Sequence, residues 1–82
     1  LNGEPHLPIA AIDAEVAART VTLMSASKAF NIAGLCMAFA HFGSPALKAR
    51  FERVPPHVRG GTNTLAVSAV HAAWTAGQPW LD

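Results

Sequence analysis

The chain has 82 residues, of which 51% are hydrophobic and 13% charged, and six basic against five acidic side chains leave a formal net charge of +1. That length holds at most one small domain, and a near-neutral charge without a basic cluster excludes nucleic acid and anionic membranes as partners. Ordinary soluble domains carry roughly 25% charged residues, so there is too little charge here to cover a free-standing unit, and the isolated chain is expected to self-associate through its apolar faces.

Residues 1–11 contain Asn2-Gly3, Pro5 and Pro8 and read as a turn followed by an extended lead-in. Asp13 can cap a short helix through Arg19, with Ile12 and Val16 facing inward. Residues 20–24 form a short β-branched and apolar run, read as a buried strand. A loop over 25–35 leads to a second strand over 36–42, whose near-continuous apolar character predicts burial on both faces. The loop is too short for a helical crossover, so the strands are expected to be antiparallel neighbours. Ser44 as N-cap and Pro45 at the first helical position start a helix that runs to about Arg53 and ends at Pro55-Pro56. Residues 57–62 read as a loop. Thr62 or Asn63 then caps an alanine-rich helix to about Ala76, with Gly77 as its stop, and its nearly all-round apolar surface belongs in the interior of something larger.

The chemistry concentrates between the strands. Lys28 stands at the end of the first strand, where open α/β sheets place ligands. Ser25 and Ser27 add hydroxyls there, and hydroxyls with backbone N–H groups suit a phosphate because they donate without a counterion of their own. Taken alone, the same residues also fit a solvated lysine beside serines that satisfy turn hydrogen bonds. His6, His41, His57 and His71 lack metal-ligand spacing, so no metal is expected, and no nucleotide fingerprint or serine-hydrolase elbow is present. Cys36 is the single cysteine, read as a buried structural thiol, and it points to a reducing, cytoplasmic compartment. The longest apolar stretch, residues 32–42, is well under the roughly 20 residues of a membrane span, so no membrane partner is expected.

Ser25-Ala26-Ser27-Lys28, followed by Phe30-Asn31 and Gly34-Leu35, resembles the cofactor-lysine motif of pyridoxal-phosphate enzymes of fold type I, the class I/II aminotransferase family. With His6-Leu7-Pro8 before it and Gly77-Gln78-Pro79-Trp80-Leu81-Asp82 after it, the chain is similar more narrowly to the MalY/PatB-like C–S lyase subgroup, the cystathionine β-lyases. The resemblance implies an α/β fragment of the pyridoxal-phosphate-dependent transferase-like large domain. In that fragment, residues 1–82 form an incomplete part of the cofactor-binding domain, with two neighbouring strands, two main helices and a short N-terminal helix. It implies pyridoxal 5′-phosphate as cofactor, an amino acid as substrate, and a homodimeric parent enzyme. Lys28 would be the catalytic residue, holding the cofactor and then removing the substrate Cα proton. Ser25 and Ser27 would contact the phosphate, Asn31 and Gly34 would shape the loop against the cofactor, and Thr62 and Asn63 would reach a neighbouring subunit's phosphate. One departure stands out: many aminotransferases of this fold carry an arginine eight residues after the lysine, where this chain has Cys36. Two other activities fit the residues: an aminotransferase, and a truncated, non-catalytic structural fragment. The start at Leu1 and the stop at Asp82 without a polar tail also read as a fragment, for which no turnover is expected in isolation.

Overall fold

The computed structural model describes residues 3–82; Asn2, half of the predicted Asn2-Gly3 turn, lies outside them. Gly3 does take the left-handed conformation such a turn uses, with φ 78°. Two strands, β1 over Val21–Met24 and β2 over Phe39–Phe42, form a two-stranded sheet. The Gly43 N–H donates to the Thr20 carbonyl over 3.0 Å, which sets the end of β2 against the start of β1 and makes the pair antiparallel. The described chain divides into two compact units, Leu1–Thr22 with Ala40–Val54, and Leu23–Phe39 with Pro55–Asp82.

In the first unit, a 3₁₀ turn over Ile9–Ala11 replaces part of the expected extended lead-in and precedes helix α1, Ala14–Ala18. Asp13 caps α1 as predicted, its carboxylate accepting from the Val16 N–H at 2.8 Å. The helix stops after five residues as the Thr20 hydroxyl donates to the Val16 carbonyl over 2.6 Å and the Thr20 N–H folds back to Ala17. Gly43 runs so close to this end that a Cβ on it would stand 1.7 Å from the Ala17 carbonyl oxygen. Helix α2, Pro45–Glu52, follows, with Ser44 accepting from the Leu47 N–H and Pro45 in the first turn. Phe51 lies 5.2 Å from Phe42, ring to ring, and Lys48 pairs with Glu52 at 3.5 Å.

The second unit holds a 3₁₀ turn over Ala33–Leu35 and helices α3 (Pro56–Arg59), α4 (Thr64–Ala76) and α5 (Gln78–Leu81). Asn63 is the cap of α4, accepting from the Ala66 N–H at 2.7 Å. Its buried residues are Ala26, Ala66 and Val70, and Phe39 stacks at a tilt on Trp74 with ring centroids 4.8 Å apart.

Three expectations need correction. The second strand begins at Phe39 rather than Cys36, because Cys36 takes a left-handed φ of 52° as it closes the 3₁₀ turn and no strand residue adopts that conformation. Residues 57–62 are not all loop: Pro56 restarts the chain as α3, since its fixed φ suits a first helical position. Gly77 stops α4 as expected, with an ordinary right-handed backbone, φ −85°, and the chain turns at once into α5. The strands are not buried, with Leu23 75% exposed and Val21 42%. Among the described residues nothing covers those side chains.

Nor are the strands alone in this. Leu65 is 75% exposed on α4, and Ile9, Val58 and Trp80 are more than half exposed. The accessible surface is 6689 Å² for 8.6 kDa, where a folded monomer of that mass shows about 4,700 Å². The excess of about 2,000 Å² exceeds the roughly 800 Å² per partner of a standard protein interface. The isolated chain is therefore expected to sediment as concentration-dependent oligomers, and a monodisperse monomer in sedimentation velocity would contradict this. Gly43→Ala is expected to cost the folded protein about 1–3 kcal/mol by overpacking against Ala17, read as a lower denaturant midpoint.

Candidate functional site

The lysine loop lies within the second unit. It leaves β1 at Ser25, turns through residues 27–31, passes the 3₁₀ turn and rejoins the sheet at Phe39. The turn is closed by two backbone bonds, Phe30 N–H to the Ala26 carbonyl and Ile32 N–H to the Ser27 carbonyl, each 3.1 Å. Ala26, 1% exposed, anchors it. Asn31 takes φ 53°, which asparagine tolerates better than most residues. The left-handed positions of the loop are thus Asn31 and Cys36. Gly34 has no positive φ, and a Cβ on it would meet nothing within 4 Å, so the chain's own backbone does not demand glycine there.

The Ser25 hydroxyl is the densest polar point. It donates to the Met37 carbonyl over 2.7 Å, accepts from the Ser27 N–H at 3.1 Å and lies 2.6 Å from the Ser27 hydroxyl. A serine has one proton to give. With it committed to Met37, the Ser27 hydroxyl must donate to Ser25. Lys28 stands next in the chain, exposed, and no ion pair reaches it among the described residues. Its amine is free to meet an incoming carbonyl, beside two hydroxyls that can be redirected.

Asn63 is held at both ends of its amide. The oxygen caps α4, and the nitrogen donates to the Leu35 carbonyl over 3.4 Å, joining α4 to the end of the lysine loop. Thr62, exposed beside it, is not engaged by the described residues. Cys36 is exposed rather than buried, because it caps the 3₁₀ turn instead of lying in β2; its thiol approaches the Gly34 carbonyl at 3.7 Å. Sequence reading missed Met37 and Leu35, which act through backbone carbonyls and leave no trace in side-chain type. It also gave no role to Trp80, whose indole N–H donates to the Ala29 carbonyl over 3.1 Å.

Elsewhere, a hollow of about 530 Å³ is lined by Ala40–Pro45 and Lys48 and by none of the lysine-loop residues. Among the described residues, no cluster of His, Cys, Asp or Glu suits a metal ion, and no helix is long and apolar enough to cross a membrane.

No family model matches the chain. Individual proteins do. It is 37% identical over 83 residues to cystathionine beta-lyase PatB of Bacillus subtilis (strain 168), a match covering 100% of the chain and 21% of PatB. A putative cystathionine beta-lyase of Mycobacterium leprae (strain TN) is also 37% identical, over 100% of the chain and 20% of that protein. One from Mycobacterium tuberculosis (strain ATCC 25618 / H37Rv) is 47% identical over 60 residues, 73% of the chain and 14% of the protein. The crystal structure of OvoB superposes on 98% of the chain with a TM-score of 0.91 and 46% identity, using 21% of the OvoB chain. The chain is thus similar in sequence to PatB and in fold to a segment of OvoB, and it spans about one fifth of the length of each.

Proposed function

We propose that residues 1–82 are an incomplete part of the cofactor-binding large domain of a pyridoxal-phosphate-dependent C–S β-lyase. Its substrate would be cystathionine or another cysteine conjugate, cleaved to a thiol, pyruvate and ammonia. The observation that carries this reading is the lysine turn, in which an exposed Lys28 follows directly on the paired Ser25 and Ser27 hydroxyls at the end of β1. The names of the relatives point the same way.

The donor set suits the cofactor. A primary amine answers its aldehyde, and neutral hydroxyls with backbone N–H groups answer its phosphate. When bound, the cofactor supplies the electron sink for bond breaking at the substrate Cα and Cβ. Lys28 would hold the cofactor through its amine and, once released, would serve as the base for the substrate Cα proton. Ser25 can donate to the phosphate only by withdrawing its proton from Met37, and Ser27 only by withdrawing its own from Ser25, and each hydroxyl can turn without the other. Asn31 and Gly34 shape the loop around the ring edge. In a homodimer, Thr62 reaches the neighbouring subunit's phosphate, with Asn63 holding the loop to Leu35. Cys36, where a charged guanidinium would bind phosphate more strongly, disfavours a typical aminotransferase. A reducing cytoplasm would keep this exposed thiol free.

Treating the full-length enzyme with the cofactor and borohydride is expected to label Lys28 and spare Lys48; equal labelling of the two would sink the reading. Lys28→Ala should lower turnover by roughly 10²–10⁴-fold, the share a positioned base contributes. Thiol and pyruvate release from cystathionine, set against amino transfer to a keto acid, separates the lyase from an aminotransferase. Ser25→Ala should weaken cofactor retention roughly tenfold, about the worth of one hydrogen bond to a charged group, as measured by dialysis of the loaded enzyme.

A further inference from the structure

The C-terminal run from Gly77 to Trp80 takes no part in the site as described, yet it meets the lysine turn at two consecutive residues. The Trp80 indole N–H donates to the Ala29 carbonyl, one position beyond Lys28. Gly77 sits so close to the next residue that a Cβ on it would stand 2.4 Å from Phe30 Cε1. This run is itself anchored: the Gly77 N–H donates to the Ala73 carbonyl and the Trp80 N–H to the Gly77 carbonyl, each over 3.0 Å. Ala73 belongs to α4, the helix that carries the buried Ala66 and Val70. A continuous set of contacts therefore runs from the best-packed part of the unit to the peptide group between Ala29 and Phe30, one residue beyond Lys28. Trp80 is 66% exposed in the described chain, so burial of the ring there does not account for its place. Its directed contact is the N–H bond.

We propose that Trp80 is a positioning residue for Lys28: its indole N–H fixes the Ala29 carbonyl and, with Gly77 seated against Phe30, sets the direction in which the lysine leaves the turn. The proposal rests on Lys28 being the cofactor lysine. The physical reason is leverage. The Ala29–Phe30 peptide that Trp80 holds is one Cα removed from the Lys28–Ala29 peptide. Freeing it lets the backbone turn at Ala29 and swings an amine carried on a four-carbon stem, where a misplacement of about 1 Å can cost on the order of a hundredfold in rate. The turn's own bonds, from Phe30 and Ile32, engage the Ala26 and Ser27 carbonyls and leave the Ala29 carbonyl to Trp80.

The test uses the full-length enzyme carrying this segment. Trp80→Phe removes the donor and keeps an aromatic ring; benzothienylalanine at position 80, which keeps the ring shape and lacks the N–H, serves where Trp80→Phe does not fold. In the cofactor-free protein, exchange of the Phe30 and Ile32 amides is expected to quicken roughly fivefold, the effect of one lost hydrogen bond, with α2 amides unchanged. In the loaded enzyme, kcat is expected to fall on the order of tenfold, with KM unchanged. Borohydride labelling of the unsubstituted enzyme at Lys28 checks the underlying reading separately, since failure there leaves the exchange result standing. Unaltered exchange, faster exchange spread evenly over the chain, or a loosened turn with full kcat would each overturn the proposal.

Discussion

One hydroxyl proton, that of Ser25, settles the geometry of the lysine loop. By donating to Met37 it ties the exit of β1 to the approach into β2, and by accepting from the Ser27 N–H it starts the turn on which Lys28 stands. The far side of the turn is held by Trp80 and Gly77. Between these two fixings the lysine side chain makes no hydrogen bond or ion pair among the described residues, exposed and next to hydroxyls. A hydrogen-bonded backbone under an unengaged amine suits the covalent role proposed for Lys28, in which the amine would both hold a carbonyl and let it go.

Local signals were legible and distant ones were not. Asp13, Ser44 and Asn63 are helix caps whose partners lie three residues ahead, so each could be read from type and spacing alone, and each caps in the structure. The β-branched apolar run likewise placed β1, the Ser44-Pro45 start placed α2, the alanine-rich apolar stretch placed α4, and the short loop fixed the antiparallel pairing. The start of β2 was misplaced because it depends on a left-handed cysteine, a conformation that Cys36 takes from its surroundings and not from any preference of its own. α3 and α5 are single turns beside prolines, where the same residue that ends one helix can begin the next.

The site divides along the same line. Lys28, Ser25 and Ser27 are contiguous and were visible as a motif. Asn63 to Leu35 and Trp80 to Ala29 join residues 28 and 51 positions apart, and each ends on a backbone carbonyl. No side-chain pattern encodes such a target. At Gly34 the described backbone takes no positive φ, and the left-handed positions of the loop are Asn31 and Cys36.

Charge and surface point to a common incompleteness. A guanidinium offers a phosphate a positive charge and a bidentate pair of N–H donors that neutral hydroxyls and amides do not, and on the proposed reading Cys36 offers a thiol where that charge would stand. The redirected serines also give up bonds to Met37 and to each other, so their net contribution is smaller still. If the proposed cofactor site is right, much of the anion affinity of the enzyme would come from groups outside these residues. The excess of about 2,000 Å² of exposed surface shows that packing is unfinished in the same sense, with β1 and α4 carrying apolar side chains that water now meets. Whatever covers those faces would also raise the worth of each hydrogen bond in the lysine loop by lowering its dielectric surroundings. Folding and cofactor binding would then be completed by the same contacts.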